Sequence, residues 1–129
     1  MSRLFAAALM LAAVSATTMS AQAPQNISVE IAIARSVVDR MPVDTASVFT
    51  ADVGQVACWT RISGAEGQTI QHVWIHGEKE FPVPFEIGGP SWRVWSTKEV
   101  PADWTGEWRV EVRDSAGTVL QTARFTVGS

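Results

Sequence analysis

The sequence predicts an all-β chain, an immunoglobulin-like antiparallel β-sandwich of about seven strands. Three observations predict it. Apolar and polar residues alternate with a period of two, first over 27–34, where Ile27, Val29, Ile31 and Ile33 share one phase. Turn-forming clusters recur at short intervals: Ser63-Gly64-Ala65-Glu66-Gly67, Gly77, Gly88-Gly89-Pro90, Pro101-Ala102-Asp103 and Ser115-Ala116-Gly117. No stretch after residue 26 carries the apolar stripe of an amphipathic helix.

Taken in order, residues 1–23 have the layout of a secretory leader. Arg3 supplies the positive start, Leu4 to Ala16 are free of charge, and Ala21-Gln22-Ala23 is an A-x-A cleavage site before Pro24. The apolar run is shorter than the roughly 20 residues of a membrane span. The expectation is an exported protein, periplasmic or secreted, without membrane insertion once the leader is removed. Removing 23 of 129 residues leaves 106, enough for one β-sandwich domain over 24–129.

After the first strand, the corner Asp39-Arg40-Met41-Pro42-Val43-Asp44 interrupts the alternation, because Pro42 has no N–H to give a ladder. Strands are then expected at 55–62, 69–76, 80–87, 92–98, 107–114 and 119–127. The last two form the best-defined hairpin. Trp108, Val110 and Val112 face one way, and Glu107, Arg109, Glu111 and Arg113 the other, with charges of alternating sign as on an exposed antiparallel face. In the returning strand Phe125 and Val127 share a phase that Leu120 breaks, so a β-bulge is expected near 121–124.

Charge and cysteine content narrow the function classes. The net charge is −3, and losing Arg3, the only charged residue of the leader, makes it −4. That balance argues against nucleic acid, whose binding rests on neutralising phosphates, and against a basic attachment to anionic lipids. A single cysteine, Cys58, forms no internal disulfide; in phase with Val56 and Thr60 it reads as a buried, inert thiol.

The six tryptophans, with no tyrosine, are too many for so small a core to bury completely. Trp92 and Trp95, three positions apart, point to opposite faces of a regular strand, one toward the core and one outward. Arg93, Trp95 and Thr97 share a face and Lys98 follows; an arginine beside an indole can hold a carboxylate or stack on the ring. His72, Trp74 and His76 share a face of another strand. Imidazoles at i and i+4 there stand about 13 Å apart, too far for one metal ion, so one is expected to hydrogen-bond at the core edge and the other to be solvated. No nucleophile elbow, phosphate-cradling loop, catalytic Cys-His pair or paired carboxylate is visible. No metal or cofactor is expected.

The order His72-Val73-Trp74, then Trp92-Arg93-Val94-Trp95-Ser96-Thr97-Lys98, then Gly106-Glu107-Trp108-Arg109-Val110-Glu111-Val112, closing on Phe125-Thr126-Val127, resembles the bacterial domain-of-unknown-function family 2914. The corner Met41-Pro42-Val43-Asp44 is similar to that family's N-terminal turn. The resemblance implies a small exported or membrane-tethered β domain and transfers no catalytic residue.

The functional expectation is a non-catalytic extracytoplasmic binding or interaction module. Its candidate surface is Arg93, Trp95 and Lys98 with Trp74 and His72, and its partner an envelope protein or a glycan. A carbohydrate-binding module and a cell-envelope hydrolase are the alternatives. A planar row of exposed indoles would favour sugar, one indole ringed by cations an anionic group or partner, and a deep cleft with paired carboxylates catalysis.

Overall fold

The structure, a computed structural model, describes residues 26–128, and they are all β. The leader expected over 1–23 lies outside the described residues. Strands β1 (Ser28–Val38), β2 (Met41–Thr45), β4 (Gly54–Ser63) and β7 (Ser91–Val100) form one sheet in the order β2-β1-β4-β7. The other holds β3 (Val48–Phe49), β5 (Thr69–His76), β6 (Lys79–Glu86), β8 (Gly106–Arg113) and β9 (Val119–Val127), in the order β3-β9-β8-β5-β6. All pairings are antiparallel except the short β3 with β9.

The expected strands are present, with two short additions, β2 and β3. Pro42 does not end the first ladder as its missing N–H suggested. It sits in β2, opposite Val37, on a strand at the sheet edge, where a missing donor costs nothing. Asp39 and Arg40 make the two-residue turn between β1 and β2, both with positive φ (54° and 65°), the twist that such a tight hairpin requires.

Register follows the apolar phase. Trp108, Val110 and Val112 are buried, and Trp108 pairs with Phe125 across the ladder. The bulge lies one step earlier than expected: Val112 pairs with Gln121 and Arg113 with Val119, leaving Leu120 as the extra residue. Leu120 thereby turns inward against the cluster of Ile62, Ile70, Ile87, Val94 and Val112. The second apolar cluster gathers Ile33, Phe49, Val56, Cys58, Trp74, Trp108, Phe125 and Val127 from both sheets.

Between the sheets runs a chain of buried hydrogen bonds. Trp74 Nε1–H donates to Ser96 Oγ (3.0 Å), and Ser96 donates to His72 Nδ1 (2.7 Å). His72 Nε2–H donates to Thr60 Oγ1 (3.0 Å), and Thr60 donates to the Val94 carbonyl (3.0 Å). Each hydroxyl accepts once and donates once, which fixes a neutral imidazole with its proton on Nε2. Burial pushes the His72 imidazole down to about 4. These bonds join β5 to β4 and β7, so they hold the two sheets in one alignment.

Candidate functional site

Antiparallel pairing of β4 with β7 superposes two mirror-image stretches, Trp59-Thr60-Arg61 and Arg93-Val94-Trp95. Trp59 lies opposite Trp95, and Arg61 opposite Arg93, on the outer face of the four-stranded sheet. Like charges directly opposite each other repel. Glu30 of β1 relieves Arg61, its Oε1 standing 3.5 Å from the guanidinium, which also lies over the Trp59 ring at 5.6 Å. Arg93 makes no ion pair among the described residues; its Nη1 reaches only the sulfur of Met41 (3.3 Å).

The two indoles have different fates. Trp59 is buried although it faces outward, because the β1–β2 turn reaches it and its Nε1–H donates to the Arg40 carbonyl (2.8 Å). Trp95 stays 36% exposed. Beside the hairpin tip, Arg40, Ser91, Trp92 and Arg93 line a shallow cleft of about 120 Å³. Arg40 is held there in the left-handed region, which costs of order 1–3 kcal/mol for a residue with a Cβ.

The structure divides the candidate residues. Arg93 and Trp95 share the outer face. Lys98 belongs to the opposite phase of β7, and its Nζ stands 4.2 Å from the centre of the Phe81 ring and 5.7 Å from that of Trp104. His72 and Trp74 leave the candidate surface altogether: they point between the sheets, where their hydrogen bonds satisfy the core. An inward phase on a central strand is indistinguishable in sequence from an outward one. Neither histidine is the solvated one expected of the pair, and His76 is the one that hydrogen-bonds at the core edge. It is half-buried, 4.5 Å from Trp108 and 5.5 Å from Trp104, and its Nε2 pairs with the Thr105 carbonyl (2.9 Å).

Trp92 also departs from the expectation that one of the pair Trp92 and Trp95 enters the core. It has the inward phase but remains 38% exposed, lying flat on the backbone of Gly88 and Gly89; a Cβ at Gly88 would come within 2.9 Å of its ring. Cys58 is fully buried, and desolvation pushes its thiol far up, as expected of an inert group. Sequence reasoning missed Arg61, Trp59 and Arg40. The mirror spacing W-x-R and R-x-W was the available signal for the first two. Nothing local to residue 40 announced that the hairpin reaches across to β4.

On the outer face of the other sheet, Glu111 stands between Arg109 (3.0 Å) and Arg113 (2.6 Å), and Arg113 also reaches Glu80 of β6 (3.5 Å). Burial raises the Glu111 carboxyl, but hydrogen bonds from Arg113 and Arg109 outweigh this and hold it below its ordinary value. The bridge from β8 to β6 crosses β5, whose outward Val73 is only 1% exposed.

The family described as "Protein of unknown function (DUF2914)" matches residues 67–127, the family that the sequence resembles. The corner Met41-Pro42-Val43-Asp44 lies before the matched segment. No curated protein matches the sequence. Among solved structures, a Pseudomonas fluorescens alkylpurine DNA glycosylase AlkC, bound to DNA containing an abasic site analog, is similar in fold. Its TM-score is 0.50 at 10% identity, over 80% of this chain and 30% of that one. A β-glucosidase 3B from Thermotoga neapolitana in complex with glucose gives 0.44 at 14% identity, over 81% of this chain and 16% of that one. A β-glucosidase from Kluyveromyces marxianus gives 0.43 at 12%, over 81% and 15%. The chain thus spans less than a third of each of these proteins, and the likeness is one of fold alone.

Proposed function

We propose that this chain, whose residues 67–127 match DUF2914, is an exported, non-catalytic binding module. Its contact surface is the outer face of the four-stranded sheet, centred on Arg93 and Trp95. One observation carries the reading: Arg93, opposite a second arginine and without a carboxylate among the described residues, stands beside a partly exposed indole. A pair serving only the fold has no need of an unmatched cation there. A partner carrying a carboxylate or another anionic group gains charge-assisted hydrogen bonds from the guanidinium and a flat apolar surface from the ring.

An indole flanked by guanidiniums supports an anionic group on an envelope protein or glycan over a neutral sugar, which stacks best on a row of coplanar indoles. Trp92 does not extend Trp95 into such a row, having the opposite phase.

The test is capture from bacterial cell-envelope extracts by immobilised wild type, Arg93→Ala and Trp95→Ala, beside thermal melts of all three. The expected result is capture by wild type, strongly reduced capture by both variants, and three cooperative melts. Equal capture by three folded proteins removes this face. Unfolding caused by Trp95→Ala makes the indole a structural residue.

A further inference from the structure

The two sheets are unequal, and the inequality leaves room for one strand. β9 lies under β1, to which Gln121 Nε2 donates at the Val29 carbonyl (3.2 Å). β5 lies under β4 and β7, to which His72 and Trp74 are bonded. β6, the fifth strand, is the edge strand beside β5, and of β7 it is Lys98 that reaches over its Phe81. Its inward residues Phe81, Val83 and Phe85 are accordingly only half-buried, although they pack against the core clusters.

The two edges beside this ledge differ. β6 carries Pro82 and Pro84 within an uninterrupted ladder to β5, so their nitrogens face the free side and remove two donors from that edge. β7 runs for 10 residues without proline, and among the described residues it pairs only with β4. Its second edge keeps a row of backbone donors and acceptors. Of these two edges, that of β7 is the one that can take a further strand.

The charges around this opening select the strand. Arg93 lies on the outer side of β7, and Lys98 and Lys79, the only lysines of the chain, lie beside the ledge over Phe81 and Trp104. None of the three has a carboxylate partner among the described residues. We infer that β7 accepts an extended acidic peptide segment of a partner protein as a fifth strand. Alternate apolar side chains of that segment cover Val83 and Phe85, and its carboxylates, on the outer side, meet Arg93. This rests on the reading of the Arg93 face and names its partner class.

The probes are two synthetic peptides as long as β7, 10 residues, alternating valine with glutamate or valine with lysine. Hydrogen exchange of the wild-type domain, read amide by amide, needs no variant. The valine–glutamate peptide is expected to bind and to slow every second amide of β7, and the valine–lysine peptide to bind about tenfold more weakly or not at all. Arg93→Glu is expected to narrow or reverse that preference, and Val83→Asp to weaken binding about tenfold with the melt preserved. Binding without added protection in β7, equal binding of the two peptides, or binding of neither overturns the added strand. The outer-face reading fails separately, by envelope capture that ignores Arg93→Ala and Trp95→Ala.

Discussion

The outer faces of the two sheets carry the same residue types to opposite ends. On the five-stranded sheet, Arg109, Glu111, Arg113 and Glu80 alternate in sign and close into a network over Val73. On the four-stranded sheet, arginine stands opposite arginine and tryptophan opposite tryptophan, and one of each pair is satisfied from within while the other is left over. Glu30 and the hairpin tip complete Arg61 and Trp59; among the described residues Arg93 and Trp95 have no such complement. A face that satisfies itself needs no partner, and a face that does not has its contact chemistry to spare.

The largest effect should separate the two indoles of the second face. Trp59→Ala is expected to cost about 3–5 kcal/mol in urea unfolding, as removal of a buried aromatic does, and to release the β1–β2 hairpin. Trp95→Ala should cost about 1 kcal/mol or less. Comparable losses would erase the distinction between a structural and a contact indole. Trp108→Ala, beneath the first face, should match Trp59→Ala and calibrate the scale.

Next in size is a pH effect from the polar chain that aligns the sheets. His72 is neutral in the fold, pushed down to about 4 from the ordinary 6.5. Above pH 6.5 both folded and unfolded imidazoles are neutral, and the fold keeps its full stability. Between about 6.5 and 4 only the unfolded chain takes up the proton, so stability falls as pH falls, by a total of order 3 kcal/mol. Unfolding free energies of wild type and His72→Gln, measured across that window, should converge toward the acid end. Parallel curves would mean that His72 is not buried as a neutral ring.

Smaller again is the ion-pair network. Glu111→Gln leaves two arginines facing each other across a neutral amide and should cost about 1 kcal/mol at low salt, less at high salt. The smallest change is expected from Arg93→Ala, within about 0.5 kcal/mol of wild type and on the stabilising side, because it removes a repulsion from Arg61. A loss comparable to that of Glu111→Gln would show that the second face also satisfies itself.

Period-two patterning made the strands legible, and the burial of Trp108, Val110 and Val112 followed from phase alone; of their outward neighbours only Glu107 is exposed, while Arg109, Glu111 and Arg113 half-bury one another in their ion pairs. The same patterning could not tell which phase of β5 points inward, because Val73 and Ile75, on its outer side, are as apolar and as buried as the inward Trp74. The sequence therefore groups His72 and Trp74 with Arg93 and Trp95, from which a whole sheet separates them. Lys98 departs from its expected place for a related reason: as the residue after Thr97 it reverses the phase of Arg93 and Trp95, and its long side chain reaches Phe81 rather than the outer face. Arg93 and Trp95 were legible because three consecutive strand positions fix their common side. Their opposition to Arg61 and Trp59 depends on the register of two strands some thirty residues apart, which no local pattern specifies.

Charge reversal on each face in turn separates the two faces in a single assay. Immobilised Arg93→Glu and Arg113→Glu would be compared with wild type for the amount of cell-envelope material captured at low salt. Arg93→Glu is expected to abolish capture, and Arg113→Glu, though less stable, to capture as wild type does. Loss of capture by Arg113→Glu with full capture by Arg93→Glu would place the contact surface on the five-stranded sheet instead.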